Sequence, residues 1–284
     1  MTNQILKALE PYRGKGLFYD VVGPAATGAA VARVAIDDDY VVPSAARELV
    51  GVIPFITTEE PAAAESIISV GDIIGPDFRG QPCEFPFPVA AGMLGALNAI
   101  PTTPAEFWAI HAPMDGGEVL NFGQEMCDAL AADGEAGLTL VYTERRTGKR
   151  QIFGKFSREV AGGAGAGADY AVAGDNLTIS NGGQMYEIVA ICVFAGIVTT
   201  VEALVSLATM KCSVWDPIQS TRFFLEPVHA MVGASGAAQV KAIMRLPFDA
   251  RFNNKQATVE TTFIQSTNMT VAPMFVHGIR YYGS

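Results

Sequence analysis

The feature that most constrains how this chain can fold is an internal repeat. One segment begins at Glu48 and its copy begins at Glu187, 139 positions later, and Pro88 and Pro227 match near the far ends at the same spacing. Further matches follow in the same order on both sides of these segments. Because several matches in one order rarely arise by chance, we predict two related domains in tandem.

The later copy is apolar enough to be mistaken for a membrane helix. From Ile188 to Met210 only Glu202 is charged, and about 20 apolar residues suffice to cross a bilayer. The earlier copy, however, has Glu59, Glu60 and Pro61 within the matching stretch. Lipid would not tolerate those residues, so we interpret both copies as buried β-strands rich in Val, Ile and Phe.

The repeat divides the 284 residues into three predicted parts: an N-terminal arm over 1–15, a first domain over 16–148 and a second domain over 149–284. Each domain has about 135 residues, a size that suits one eight-stranded sandwich. Short apolar runs are separated by many Gly and Pro residues, which indicates antiparallel strands with a few short helices. The predicted fold class is therefore all-β, with two jelly-roll β-sandwiches in tandem.

The arm has a short apolar face at helical spacing. Its apolar residues are Ile5, Leu6 and Leu9, and Pro11 is expected to end the helix. Its basic residues are Lys7, Arg13 and Lys15. Two interpretations remain open: a helical turn packed on its own domain, or an arm that reaches a neighbouring subunit or a membrane surface.

The charge balance argues against several partners. Lys and Arg total 19 against 29 Asp and Glu, for a net charge of −10. Direct nucleic-acid binding would require basic patches, and broad adhesion to an anionic membrane is also disfavoured. The four cysteines show no C-x-x-C spacing, so we expect free thiols. Without a secretory signal at the start, we expect the chain to fold in the cytoplasm.

No pattern in the sequence indicates catalysis, a metal or a cofactor. The three histidines, His111, His229 and His277, are far apart, and a lone histidine on an apolar strand is usually structural. The glycine-rich run at 161–168 is not followed by a helical pattern, so it does not predict a phosphate site. We interpret Glu48 and Glu187 as equivalent positions of the repeat rather than as an acid–base pair. The chain is therefore not expected to be an enzyme.

With its tandem repeat, short N-terminal arm and acidic, histidine-poor composition, the chain resembles the double jelly-roll major capsid proteins of icosahedral, often membrane-containing viruses. The resemblance covers about Gly16 to Ser284 and implies a coat subunit. Three chains would form a trimer with a pseudo-hexagonal outline and then contact neighbouring capsomers. The arm would lie on the inner side of the virion shell, near minor capsid proteins and any internal membrane.

Three other classes fit less well. A tandem carbohydrate- or ligand-binding module would display aromatic platforms, but Trp108 and Trp215 do not occupy equivalent positions. A bicupin enzyme would need clustered histidines in each half. A capsid subunit of the tailed-phage type would need a long spine helix, for which the sequence offers no candidate.

Overall fold

Short runs of β-branched and aromatic residues form antiparallel strands throughout the described parts of the chain. The structure, a computed structural model, describes residues 2–26, 33–56, 69–78, 82–87, 107–126, 135–158, 169–171, 177–180, 185–198, 203–214, 221–223, 227–230, 237–253, 256–265 and 271–282. Within these residues, helix is limited to α1 (Thr2–Leu9) and two 3-10 turns, Glu10–Tyr12 and Pro76–Phe78. The all-β prediction with a few short helices is confirmed.

The chain forms two compact units. Among the described residues, the first unit extends to Gly154 and the second begins at Lys155. This boundary falls inside a strand, Ile152–Arg158. The predicted limits of the two domains, 16–148 and 149–284, stay a prediction.

Among the described residues, eight strands lie entirely within the first unit. They are β1 (Leu17–Ala26), β2 (Arg33–Val41), β3 (Glu48–Ile56), β4 (Ser69–Ile74), β5 (Cys83–Pro86), β6 (Trp108–Pro113), β7 (Val119–Met126) and β8 (Glu135–Thr143).

These eight strands pair from the outside inwards. The first pairs with the eighth, the second with the seventh, the third with the sixth and the fourth with the fifth, all antiparallel. The pairs β3–β8 and β4–β7 then complete two four-stranded sheets, β1-β8-β3-β6 and β2-β7-β4-β5.

The remaining strands follow in chain order. They are β9 (Ile152–Arg158), β10 (Asp169–Ala171), β11 (Leu177–Ser180), β12 (Met185–Val198), β13 (Ala203–Val214), β14 (Thr221–Phe223), β15 (Pro227–Ala230), β16 (Ala237–Asn253), β17 (Gln256–Gln265) and β18 (Val271–Tyr282).

Their pairing follows the same scheme. One sheet has the order β9-β18-β12-β16, and the other has the order β10-β17-β13-β14, with β11 also on β17 and β15 also on β13. If β10 with β11 counts as the second strand and β14 with β15 as the fifth, the pairing order is that of the first unit.

The described residues of the apolar stretch from Ile188 to Met210, 188–198 and 203–210, form strands, as predicted. They span most of β12, which pairs with both β16 and β18, and the first part of β13. In the described residues, no helix has the length and apolar character needed to cross a membrane.

In the first unit, alternate residues of β8 build the core. Leu138, Leu140 and Tyr142 are fully buried on one face, as the period-two geometry of a strand requires. The other sheet lies on that side, because Asp20 of β1, which pairs with Leu140, accepts a hydrogen bond at 3.0 Å from the Tyr40 hydroxyl of β2. This arrangement is an all-β sandwich.

Candidate functional site at the N-terminal segment

The N-terminal segment, residues 2–15, packs on the sheet β1-β8-β3-β6. Ala8 and Leu9, at the end of α1, contact a buried cluster that includes Tyr12, Val50 and Val141. Successive residues of a strand point to opposite faces. Val141 therefore lies on the face of β8 that is turned away from the sandwich interior. The segment covers part of that outer face, which a two-layer sandwich would otherwise leave open.

The structure confirms the short helix of the arm and its end at Leu9, two residues before Pro11. The six predicted arm residues differ in exposure: Ile5, Leu9 and Lys15 are half-buried, whereas Leu6, Lys7 and Arg13 are exposed. The sequence left open whether this segment packs on its own domain or reaches elsewhere, and the structure shows it in contact with the first unit. Its role in assembly or at a membrane stays a prediction.

Beneath this segment lies a series of buried polar side chains. The Tyr12 hydroxyl is 3.1 Å from Nε2 of His111, and Nδ1 of His111 is 3.1 Å from Oε1 of Glu48. The three residues are only 3%, 4% and 3% exposed, respectively. We assign the neutral imidazole a proton on Nδ1, so that it donates to the carboxylate and accepts from the tyrosine.

The connection between β8 and β9 contributes to both ends of this series. Thr147 donates its backbone N–H and its hydroxyl to Glu48, each at 2.6 Å. Nζ of Lys149 donates to the Tyr12 hydroxyl at 3.1 Å and lies 4.5 Å from the centre of the Tyr12 ring, close enough for a cation–π interaction. We call the buried Tyr12, His111 and Glu48, together with the half-buried Thr147 and the exposed Lys149, the buried polar chain.

The buried polar chain keeps Glu48 ionised. Burial raises the pKa of a carboxyl group, but the hydrogen bonds from His111 and Thr147 outweigh burial and hold the pKa of Glu48 below its ordinary value. A charged carboxylate is thus held in the protein by donors on other chain segments. Removing one donor would leave part of that buried charge unsatisfied.

The backbone at His111 is adapted to this position. His111 has a φ of +57°, in the left-handed region that few residues other than glycine adopt. The β3–β6 register shifts between Leu49 and Gly51 beside it, which marks a bulge. A Cβ at Gly51 would collide with the carbonyl oxygen of Trp108. Close strand approach at Gly51 and the positive φ together place the imidazole between Glu48 and Tyr12.

The geometry of the buried polar chain suits it to holding segments of the protein together rather than to reacting with a ligand. Its terminal hydroxyl, on Tyr12, is buried beneath Lys149, so it is not presented to solvent. In the part of the chain that the structure describes, no group of three or more His, Cys, Asp or Glu residues is placed to hold a metal ion. The arrangement joins the N-terminal segment, β3, β6 and the β8–β9 connection.

The repeat positions chosen from the sequence fall on corresponding strands where they are described. Glu48 is the first residue of β3, Glu187 is the third residue of β12, and Pro227 begins β15. Pro88 lies outside the described residues. The equivalence of the two pairs stays a prediction.

Sequence reasoning did not find the buried polar chain. It treated Glu48 as a repeat marker and His111 as a lone structural histidine, and 63 positions separate them. It did not select Tyr12, Thr147 or Lys149 as site residues. The signal that was present is the glutamate found at a strand start in both matched segments. Antiparallel pairing of β3 with β6 then places Glu48 opposite Pro113, two residues from His111.

No known protein-family model matches the chain, and no curated protein matches it in sequence. Solved structures similar to it include the major capsid protein of bacteriophage PM2, with 7% identity, a TM-score of 0.42 and coverage of 94% of this chain and 98% of that one. PNGase F, a glycosylasparaginase from Flavobacterium meningosepticum, has 9% identity, a TM-score of 0.40 and coverage of 93% and 96%. The tandem CBM22 domains of Paenibacillus barcinonensis Xyn10C have 11% identity, a TM-score of 0.24 and coverage of 96% and 92%. Such TM-scores carry no argument about what this chain does.

Proposed function

We propose that this chain is a major capsid protein and that each of its two units is a jelly roll. The observation that carries the proposal is the pairing order, which links first with last strand, second with seventh, third with sixth and fourth with fifth, once in each unit. One long eight-stranded hairpin rolled into two facing sheets has this order, which is that of a jelly roll. Two such rolls in one chain are the layout of the double jelly-roll capsid proteins.

A chain with two alike units favours a trimer. Closing three chains on a threefold axis arranges six similar units around it, and closed symmetry satisfies every subunit interface. The pseudo-hexagonal trimer would then contact neighbouring capsomers in an icosahedral shell. The net charge of −10 favours contacts with protein over direct contacts with nucleic acid.

The experiment is a mass measurement on the purified chain by light scattering, followed by negative-stain imaging of concentrated samples. We expect three chains per particle, a hexagonal outline and sheets or shells at high concentration. A stable monomer at micromolar concentration that never assembles would contradict the capsid role. An experimental structure in which the two halves do not superpose would contradict the jelly-roll assignment separately.

The competing function is a tandem carbohydrate- or ligand-binding module. Trp108 is only 2% exposed and cannot stack on a sugar, whereas Tyr19 on β1 is 72% exposed. A glycan-array screen with the wild type and Tyr19→Ala tests this role, with Val41→Ala as the control because Val41 is also exposed, on β2. Binding that Tyr19→Ala alone abolishes would favour the module.

A further inference from the structure

The charged residues of the chain are unevenly distributed. Residues 1–154 contain 10 Lys and Arg against 20 Asp and Glu, whereas residues 155–284 contain nine of each. Two segments of the first unit, 2–16 and 144–151, nevertheless hold seven of those ten cations and only two of the acids. Six of the seven cations are exposed: Lys7, Arg13, Arg145, Arg146, Lys149 and Arg150.

The two segments lie side by side. The backbone N–H of Glu144 donates to the carbonyl oxygen of Gly16 at 3.0 Å, and Nζ of Lys149 donates to the Tyr12 hydroxyl at 3.1 Å. One of the two acids forms an ion pair with Arg13 at 3.4 Å, but the cations remain in clear excess. The six exposed cations lie on adjoining segments, and we call them the basic surface. An area of one sign on an acidic protein attracts a partner of the opposite sign.

We propose that the basic surface binds strand β2 of another copy of this chain in a neighbouring capsomer. β2 has three consecutive acids, Asp37, Asp38 and Asp39, and the last two are exposed. Arg33 of the same strand lies 3.7 Å from Asp38 but donates to the Asp72 carboxylate at 2.8 and 3.0 Å, so it offsets the three acids only in part. Complementary charge across an interface speeds association and selects the orientation of the partner.

Charge decides which surfaces can face each other. Two copies of the basic surface would repel, and so would two copies of β2, so the contact joins unlike surfaces. The two surfaces also belong to different sheets, because the basic surface flanks β1 and β8, whereas β2 lies at the edge of the other sheet. A contact of this heterologous kind repeats from copy to copy.

The proposed trimer determines which copies meet. Because each chain contributes one first unit and one second unit, the two kinds of unit alternate around the threefold axis. A first unit then has second units beside it in the ring, so a contact between two first units joins neighbouring capsomers. The inference therefore rests on the proposed capsid function, and it adds the surface by which capsomers bind each other.

The basic surface is held in place before it binds. Thr147, in the middle of 144–151, donates its backbone N–H and its hydroxyl to Glu48, and its hydroxyl oxygen accepts from the backbone N–H of Lys149 at 3.2 Å. Gly148 has a φ of +75°, which glycine adopts readily in a tight turn. Cations lie on both sides of this anchored turn. Because the turn is already ordered, little conformational entropy is lost when it binds.

Charge reversal on each surface of the full-length protein tests the contact. Arg145→Glu/Arg146→Glu reverses part of the basic surface, and Asp38→Lys/Asp39→Lys reverses β2. In each variant like charges face each other, so the protein concentration at which trimers form sheets or shells should rise about tenfold or more. Light scattering should still report trimers, and thermal melting checks that each variant is folded. The variant with all four substitutions should assemble near the wild-type concentration, because the two surfaces are again opposite in sign.

The reversal on β2 separates this contact from an effect of net charge. Asp38→Lys/Asp39→Lys makes the chain less acidic, so relief of general repulsion would make assembly easier, whereas the proposed contact makes it harder. Easier assembly of that variant would overturn the proposal. Folded trimers of the fourfold variant that do not assemble would also overturn it.

Salt provides a measurement that does not depend on the β2 variant. Raising NaCl from about 50 mM to about 500 mM screens exposed charges. It should weaken assembly of the wild type and improve that of Arg145→Glu/Arg146→Glu, because attraction is screened in the first and repulsion in the second. The same response to salt in both proteins would overturn the contact.

Failure of this contact can be told from failure of the capsid role. A wild type that forms no trimers would overturn both. Trimers that never assemble, or that assemble equally well in every variant, would overturn the contact alone. Cosedimentation with phosphatidylglycerol vesicles and a gel-shift assay with DNA test other anionic partners. Binding that Arg145→Glu/Arg146→Glu abolishes, with assembly unchanged, would assign the basic surface to that partner instead.

Discussion

The two units share one pairing order but surround the same strand position differently. β3 lies between β8 and β6, and β12 lies between β18 and β16. Each of these two strands has a glutamate near its start. In the register of the second unit, Glu187 lies opposite Arg251 and Arg280. In the first unit, Glu48 lies opposite Pro113 and Thr143.

The difference lies in the residues that are in register with the glutamate. In the second unit, both neighbouring strands have an arginine at the register position of Glu187. The first unit has none at those positions, and the donors to Glu48 are His111, at a bulge, and Thr147, in the β8–β9 connection. The first unit therefore relies in part on a chain segment outside its sheet, the β8–β9 connection that contains Thr147.

The two segments outside the sheet that reach the buried polar chain of the first unit each precede a strand by the same number of residues. Tyr12 lies five residues before Leu17, which begins β1, and Thr147 lies five residues before Ile152, which begins β9. Both reach the outer face of the sheet that contains β3. Both segments therefore contact the first unit, although the second of them directly precedes β9.

The largest expected effect comes from removing the first glutamate. Glu48→Ala leaves the buried donors of His111 and Thr147 without their acceptor, so we expect the first unit to lose about 3–5 kcal/mol of unfolding free energy. Amide exchange in β3 and β8 measures that loss, because protection of core strands reports the opening free energy of their own unit.

The matched control is Glu187→Ala in the second unit. Opposite charges directly across strands contribute about 0.2–1 kcal/mol each, so protection in β12 and β18 should change much less than protection in β3 and β8. Equal losses for the two variants would remove the contrast between the units.

Some features of the fold and of the site could be predicted from the sequence and others could not, depending on whether they arise from local residue patterns. The strands between Ile188 and Met210 and the short helix before Pro11 were predictable, because apolar periodicity and proline act locally. The repeat also pointed to two similar halves. The buried polar chain was not predictable, because it needs a bulge at Gly51 and a positive φ at His111. Those are backbone features that only close strand packing produces, and no local residue pattern marks them.

The next largest effect is expected from shortening the N-terminal segment, which has no described counterpart at the second unit. Deleting residues 2–11 removes the contacts of Ala8 and Leu9 with the cluster but keeps Tyr12. Burying a leucine side chain stabilises by about 1.5–3 kcal/mol, so the first unit should lose roughly 2 kcal/mol, with no change in β12 or β18. Particle yield should be followed on the same samples. A fall in yield without any loss of stability would assign the segment to assembly instead.

A smaller effect is expected from the tyrosine hydroxyl alone. Tyr12→Phe keeps the ring in its cluster but removes the group that joins His111 to Lys149. Such a hydrogen bond contributes about 1 kcal/mol net to the free energy of unfolding. Because that contribution is lost, amide exchange in β3 and β8 should become faster. Tyr19→Phe is the control, since Tyr19 is largely exposed on β1. A loss of unfolding free energy as large as that of Glu48→Ala would mean that the buried polar chain depends on the tyrosine hydroxyl rather than on the carboxylate.

The smallest expected effect is a dependence of the unfolding free energy of the first unit on pH. At Glu48, burial and hydrogen bonding shift the pKa in opposite directions. Because the pKa of Glu48 is lower in the folded protein, its contribution is fully present above the unfolded value of about 4.3. It is lost as the pH falls through the lower folded value.

Burial raises the pKa of Asp77 and of Glu118, so their contributions have the opposite sign and are lost as the pH rises. Subtracting the profile of Glu48→Gln from that of the wild type cancels these two terms. The difference in unfolding free energy of the first unit should therefore shrink with acidification below about pH 4.3, and the same subtraction for Glu187→Gln gives the comparison in the second unit. A Glu48 difference that grows on acidification would mean that burial, and not the donors on His111 and Thr147, dominates at this carboxylate.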